Sequence, residues 1–377
     1  MRILIVGNFQ PDEQQSMQRY ADWLENVLQR RGLEVTLVKP RPFFASLTQS
    51  PFLVKYLGYL DKFLLFPFRL RQLAKTHDLV HIADHSNAMY LGMIGDAPSL
   101  ITCHDVLAIR AARGEFFQVS VGWTGRILQR WILASLRSAR YVICVSAKTA
   151  MDLRALTGDA GAQVRVIHNA LNWKYRPGAT LPDSLIARLK LKRDRPYLLH
   201  VGGNQWYKNR ECVLRIFADL STAGGGTDIS LVLAGKPWTD EMRTLIHENQ
   251  LDERVIEAVG ITNEEMQALY ANALALLFPS LQEGFGWPIL EAQSCGCPVI
   301  TTCRSPMSDV AGEAAILIDP SDPKPAALAI IEGLKRREQL RTAGFINIRR
   351  FEEGGIVDKY CAFYEAILGS ECKAAQM

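Results

Sequence analysis

Short apolar runs alternate with longer amphipathic stretches through the first half of the chain. Ile3 to Val6, Glu34 to Val38, Leu79 to Ile82, Leu100 to Cys103, Tyr141 to Val145 and Val164 to Ile167 each read as a strand. Strands alternating with helical patterns predict parallel βαβ units. The rhythm stops at Ala170 to Ser184, ALNWKYRPGATLPDS, whose prolines, glycines and polar residues read as a linker. It resumes with Tyr197 to Val201, Ile229 to Ala234, Val255 to Val259, Leu274 to Phe278, Val299 to Thr302 and Ala315 to Ile318. The pattern therefore predicts an α/β chain of two doubly wound, Rossmann-like domains, 1–172 and 173–349. Ligands of such sheets bind beyond the carboxyl ends of the strands, so a cleft between the halves is the expected site.

A length of 377 residues accommodates two domains of ordinary size. With 22% charged and 48% hydrophobic residues the composition is globular. A net charge of +4, with no zinc-finger spacing, aromatic RNA-binding signature or long basic arm, gives no reason to expect nucleic acid as a partner. The basic residues are unevenly spread. Arg110, Arg113, Arg126, Arg130, Arg137, Arg140, Lys148 and Arg154 occupy a segment in which Glu115 and Asp152 are nearly the only acids. That segment is either a solvated basic face or a surface for an anionic acceptor or bilayer. The eight cysteines are scattered without a CxxC pair, as expected of reduced thiols, mostly buried, in a cytoplasmic protein. MRILIVGNF is too short in its apolar core for a signal peptide. The stretch from Phe52 to Phe68 is broken by Lys55, Asp61 and Lys62, which excludes a membrane span. It is either a helix packed on its own domain or one lying on a membrane surface.

The richest chemistry lies in EGFGWPILEAQSCGCPVI, Glu283 to Ile300. Pro288 is suited to open a helix after the strand Leu274 to Phe278, which makes Gly284 and Gly286 a hinge between strand and helix. Glycines and a helix N-terminus let an anion approach backbone N–H groups. Alternatively Glu291 only complements the helix dipole while Glu283 is solvated. Neither GxGxxG nor GxxxxGK[ST] follows any predicted strand, which argues against dehydrogenase and P-loop chemistry. HVGGNQWYKNRE instead offers Gly202 and Gly203 for close backbone approach, with Lys208 and Asn209 at the start of the next helix; the lysine suits a phosphate or is simply solvated.

Together these pieces resemble the family 4 retaining glycosyltransferases of the GT-B fold, over nearly the whole chain. The most specific match is the pair Glu283 and Glu291 within EGFGWPILEA; VGGNQWYKN, Leu233 to Gly235, Val259 and Gly260 before TNEEMQALYANA, VIHNALN and ITCHDV support it. The resemblance implies transfer of a sugar from a nucleoside diphosphate sugar to a glycan or lipid-linked acceptor, with retention and without metal or other cofactor. It implies that Glu283 binds the donor sugar hydroxyls and Glu291 the ribose diol. Lys208, Asn209 and the N–H groups of Phe285, Gly286 and Leu290 would meet the diphosphate, and the loops at Gly235 and at Val259 and Gly260 the base. His104 would serve catalysis from the first half, unless it is only a hydrogen-bonded strand-end histidine, with His85 and Asp105 on the acceptor side. The tail from 350 to 372 would cross back onto the first domain, and the protein would be cytoplasmic, with peripheral contact to the inner membrane face. Two departures stand out. Relatives carry a second cation where this chain has Gly203, and GNFQPDEQQSMQ lacks their glycine pair, with Ser16 suited to cap the following helix. A same-fold epimerase or phosphorylase, or a nucleotide-sugar sensor, would share most of these residues.

Overall fold

The computed structural model describes residues 1–158, 162–223 and 228–374, with the side chains of Pro51 and of 372–374 left aside. Two compact units divide the chain: Met1–Asn172 together with the segment from Glu353 onward, and Trp173–Glu352.

In the first unit β1 (Arg2–Val6), β2 (Glu34–Val38), β3 (Leu79–Ile82), β4 (Ser99–Cys103), β5 (Tyr141–Cys144) and β6 (Gln163–Val166) form one parallel sheet in the order β2-β1-β3-β4-β5-β6. β1, β3, β4 and β5 are almost fully buried, so a continuous apolar run was their sequence signature. The order reverses between β1 and β3, which opens a crevice at their carboxyl ends. The helix Gln15–Arg30 follows β1. Its N-cap is Gln14, without a side-chain cap, so Ser16 lies inside the first turn and does not cap it as expected. The helix begins two residues earlier than the capping pattern suggests.

The final helix, Glu353–Ala374, packs on this first unit through a buried polar chain. Tyr360 and Tyr20 hydroxyls meet at 2.7 Å, and Tyr20 reaches Thr102 Oγ1 at 3.1 Å. His81 bridges Tyr364 and Thr102 at 2.7 Å on each side. Buried polar groups are stabilising only when partnered, so this network specifies where the helix sits.

The second unit holds β7 (Tyr197–Gly202), β8 (Ser230–Gly235), β9 (Val255–Val259), β10 (Ala275–Phe278), β11 (Val299–Thr302) and β12 (Ala315–Ile318), again parallel, in the order β12-β11-β10-β7-β8-β9. Its switch point lies between β7 and β10. Cys103, Cys144, Cys212, Cys295 and Cys297 are buried thiols, but Cys303 is exposed because it lies just past the end of β11. The thiol of Cys372 lies outside the described residues.

Candidate active site

The loops that leave β7 and β10 flank the switch point of the second unit, and they carry the strongest contact among the expected residues. Beyond β7 the chain makes a single 3-10 turn, Trp206–Lys208, and then starts the helix Arg210–Thr222 from Asn209. Asn209 has φ 58°, a left-handed conformation that asparagine tolerates, and its Nδ2 donates to Pro279 O at 3.1 Å. This ties the β7 loop to the β10 loop. Lys208 is thereby aimed across the crevice, and its Nζ lies 2.7 Å from Glu283 Oε1. Both side chains are largely buried, and the ammonium also lies 5.3 Å from the centre of the Phe278 ring.

Gly286, with φ 111°, caps the helix Trp287–Ser294, which begins one residue before Pro288. Phe285 is buried edge-on against Trp287 and Phe351, and Leu290 is fully buried. Glu291 is buried and accepts the Tyr270 hydroxyl at 2.9 Å. Burial, reinforced by the Glu291 charge, pushes the Tyr270 hydroxyl well up, so it stays a donor. Glu291 therefore lies past the first turn, oriented by a hydrogen bond rather than complementing the helix dipole, and Glu283 is largely buried rather than solvated.

At the end of β8, Gly235 pairs with Gly202 and has φ 142°. A Cβ there would come within 2.0 Å of Gly202 O, so the close approach of these strand ends demands glycine. Val259 and Gly260 are exposed at the end of β9. Gly203 carries no cation, and a Cβ there would lie 2.5 Å from Gln205 Oε1.

Two further residues complete this site, of which His200 had no expected role. Arg210 is buried; its Nη1 donates to Lys236 O at 2.9 Å and to Asn204 Oδ1, while its Nε and Nη2 have no hydrogen-bond partner. His200 lies beneath Gly202, its Nδ1–H donating to Leu277 O at 2.9 Å and its Nε2 without a partner. Burial first, with the Arg210 and Lys208 charges added, holds the His200 imidazole down to about 3 and hence neutral. A histidine two residues before the Gly202–Gly203 pair, near the end of a buried strand, was its available sequence signal.

The first unit gathers its own cluster at its switch point. His104 follows β4, is buried edge-on against Tyr20 at 4.6 Å, and its Nε2–H donates to Ala83 O at 3.0 Å. Burial lowers its pKa despite the Asp84 charge. Asp84 begins the turn after β3 and accepts Asn8 Nδ2 at 2.6 Å, with Ser86 Oγ on the same carboxylate. His85 Nδ1 lies 3.0 Å from Asp84 Oδ1. Burial opposes an imidazolium here, yet the Asp84 carboxylate outweighs it and raises His85 to about 9, while the imidazolium holds Asp84 low against its own desolvation. Asp105 accepts Leu107 N–H at 2.9 Å and adds a second, more distant negative charge. Asp84, which had no expected role, is the charged hub of this cluster.

Two doubly wound units, with charged side chains collected at their switch points, define the two-domain α/β class with the GT-B fold. Comparison with known proteins agrees. Residues 17–175 match the model of Glycosyltransferase Family 4 and residues 183–345 that of Glycosyl transferases group 1. Among curated proteins, the O-antigen chain mannosyltransferase B of Escherichia coli is 26% identical over 231 residues, 60% of this chain and 60% of its own. The serotype-specific mannosyltransferase WbdA of Escherichia coli is 29% identical over 248 residues, 63% of this chain but 30% of its own, so the match spans less than two thirds of either relative. Sucrose-phosphate synthase from Thermosynechococcus elongatus superposes with a TM-score of 0.77 at 21% identity, covering 98% of this chain and 100% of that one. HepE from Anabaena, solved with UDP and glucose, gives 0.68 at 16% identity over 97% and 99%. The chain belongs to the family 4, group 1 glycosyltransferases of the GT-B fold.

Proposed function

We propose that this protein transfers a sugar from a nucleoside diphosphate sugar to a hydroxyl of a glycan or lipid-linked acceptor, with retention at the anomeric carbon and with no metal ion or other cofactor. The observation that carries the reading is the Lys208–Glu283 pair at the β7–β10 switch point. In the donor complex Lys208 exchanges its carboxylate for the diphosphate, and Glu283 is released to accept hydrogen bonds from sugar hydroxyls. Glu291, oriented by Tyr270, accepts the ribose diol. Charge on the leaving diphosphate grows as the glycosidic bond breaks, so cations held there act mainly on the transition state. Support for Arg210 as the second cation, in place of one at Gly203, comes from its unpartnered Nε and Nη2 at the first residue of the helix Arg210–Thr222, with Nη1 held by Asn204 of the β7 loop. The UDP-bound neighbour supports a uridine nucleotide as the first donor to try. Among the described residues no cluster could hold a metal and no helix is long and apolar enough to cross a membrane. The reading includes a cytoplasmic site of action and peripheral contact with an anionic membrane.

Thermal shift with UDP, GDP and ADP sugars, followed by transfer assays in excess chelator, tests the proposal. One nucleotide class is expected to raise the melting temperature, and a ligand at a hundred times its dissociation constant stabilises by roughly 2.7 kcal/mol. Transfer that vanishes in chelator and returns with magnesium would refute metal independence. Inversion of the anomeric configuration in the product would refute retention.

A further inference from the structure

The stretch Phe52 to Phe68, rich in aromatic residues, and the basic segment beyond Glu115 are far apart in sequence but adjacent in the first unit. Pro51–Leu60, the π turn Asp61–Leu65 and Phe66–Ala74 form one continuous helical rod. The Phe63 ring of this rod packs 5.2 Å from Trp131 of the helix Trp123–Ser138. The core face of the rod is satisfied by Phe66, Leu70 and Ala74. Its other side is not covered.

Phe52, Tyr56, Leu60, Leu64 and Phe68 are all exposed and recur every fourth residue. In an unbroken α-helix a spacing of four drifts steadily around the axis; the π turn winds less per residue and holds Leu64 and Phe68 nearer the side of Phe52. The neighbouring helix exposes Trp123, Ile127 and Trp131 in the same rhythm, interleaved with exposed Arg126 and Arg130. Phe68 and Trp123 are 71% and 74% exposed, far beyond what scattered surface apolar residues require.

Charge identifies the occupant. Between Phe43 and Ala74 the sole acid is Asp61, which is buried and accepts Phe44 N–H and Ala45 N–H at 2.9 Å each. From Phe116 to Ser138 there is no acid at all. Lys55, Arg69, Arg126 and Arg130 are exposed, whereas Arg110, Arg113 and Lys148 of the basic segment are paired with Glu115 or Asp152. An apolar, aromatic face with unopposed cations suits a surface of acyl chains under anionic headgroups. A symmetric second copy would set these cations against themselves.

We infer that the face formed by the rod Pro51–Ala74 and the helix Trp123–Ser138 docks in the interface of an anionic bilayer, with Phe52, Phe68, Trp123 and Ile127 in the acyl boundary and Lys55, Arg69, Arg126 and Arg130 among the headgroups. It deepens the peripheral-contact reading and rests on it for orientation toward a lipid-linked acceptor. The protein would thus collect its acceptor in two dimensions while taking its donor from water.

The test is co-sedimentation of the full chain with vesicles of phosphatidylcholine alone and of equal parts phosphatidylcholine and phosphatidylglycerol, at low and at molar salt. The parent is expected to bind only the anionic vesicles. The pair Phe68→Ser and Trp123→Ser, both at exposed positions, is expected to weaken binding roughly tenfold or more. Arg126→Glu with Arg130→Glu is expected to weaken it roughly 30-fold or more at low salt and far less at molar salt. Nucleotide-induced thermal shift in the same variants reports an intact second unit, and their unshifted melting in the absence of nucleotide reports an intact first unit. A parent that ignores anionic vesicles, or variants that bind like the parent, would overturn the inference. Concentration-dependent dimers lost in the serine variants, without vesicle binding, would overturn it in favour of a second copy. A parent that binds vesicles but no nucleotide sugar would leave the docking face standing and remove the glycosyl-transfer reading.

Discussion

At the Lys208 ammonium, a single carboxylate does the work that bulk water would do elsewhere. With both partners largely buried and 2.7 Å apart, removing either one strands the other's charge, whereas removing both does not. Glu283→Gln and Lys208→Ala are therefore expected to be strongly non-additive in stability, with a coupling of roughly 1–3 kcal/mol in a double-mutant cycle by denaturant unfolding. Each single change is also expected to lower turnover about a hundredfold or more, because each group meets charge or hydroxyls at the reacting centre. Additive unfolding energies would show that the pair is not coupled, and near-parent turnover in either variant would remove that residue from the reaction. Lysine and glutamate were both legible in sequence as candidates; their contact was not, since 75 positions separate them and only the β7–β10 switch point joins the two loops.

Strand ends set the geometry of the second unit, and glycine is required there for two different reasons. Gly235 combines φ 142° with a virtual Cβ 2.0 Å from Gly202 O, so any side chain must push β7 and β8 apart. Gly260, at φ 66°, has nothing within 4 Å of its virtual Cβ. Gly235→Ala is expected to cost about 3 kcal/mol or more and Gly260→Ala only about 1 kcal/mol, the left-handed penalty alone. Chemical denaturation of the two variants checks this, and equal losses would show that the β7–β8 approach is not rigid. Sequence inspection marked both glycines without distinguishing them. Pattern reading placed all the strands to within a residue or so of their ends; the central strands are buried on both faces and leave an unbroken apolar signature, while the edge strands β2 and β6 are partly exposed. It could not decide which face of the Phe52 to Phe68 stretch meets the core, since periodicity reports a stripe and not its neighbour.

Over the whole molecule, buried histidines bound the stable pH range from both sides. His85 has a folded pKa of about 9 against an unfolded value of about 6.5, so the stability it carries is fully present below 6.5 and is lost as pH rises through 9. His81 and His200 are held down to about 3 by burial, so unfolding takes up protons and stability falls as pH drops from about 6.5 toward 3. His85→Gln is expected to lower stability at neutral pH and to flatten the loss between pH 6.5 and 9; because the imidazolium also holds Asp84 low, the acid limb is expected to shift as well. Melting temperature measured across that range decides it; an alkaline slope equal to the parent's would mean that His85 is not charged in the folded protein.

The sequence by itself determined the two doubly wound units, the linker between them and the loops that carry the family's motifs. These follow from local periodicity and turn chemistry, which act over a few residues. Tertiary structure alone decided that Lys208 meets Glu283, that Tyr270 orients Glu291, that Asp84 charges His85, and that Tyr360 and Tyr364 lock the last helix onto Tyr20 and His81. It also decided that the aromatic rod and the basic helix share one face. The Asp84–His85 neighbours owe their charge state to each other, held together against the cost of burial, and the other contacts join groups distant along the chain. Burial and long-range proximity are products of packing, which no local pattern encodes.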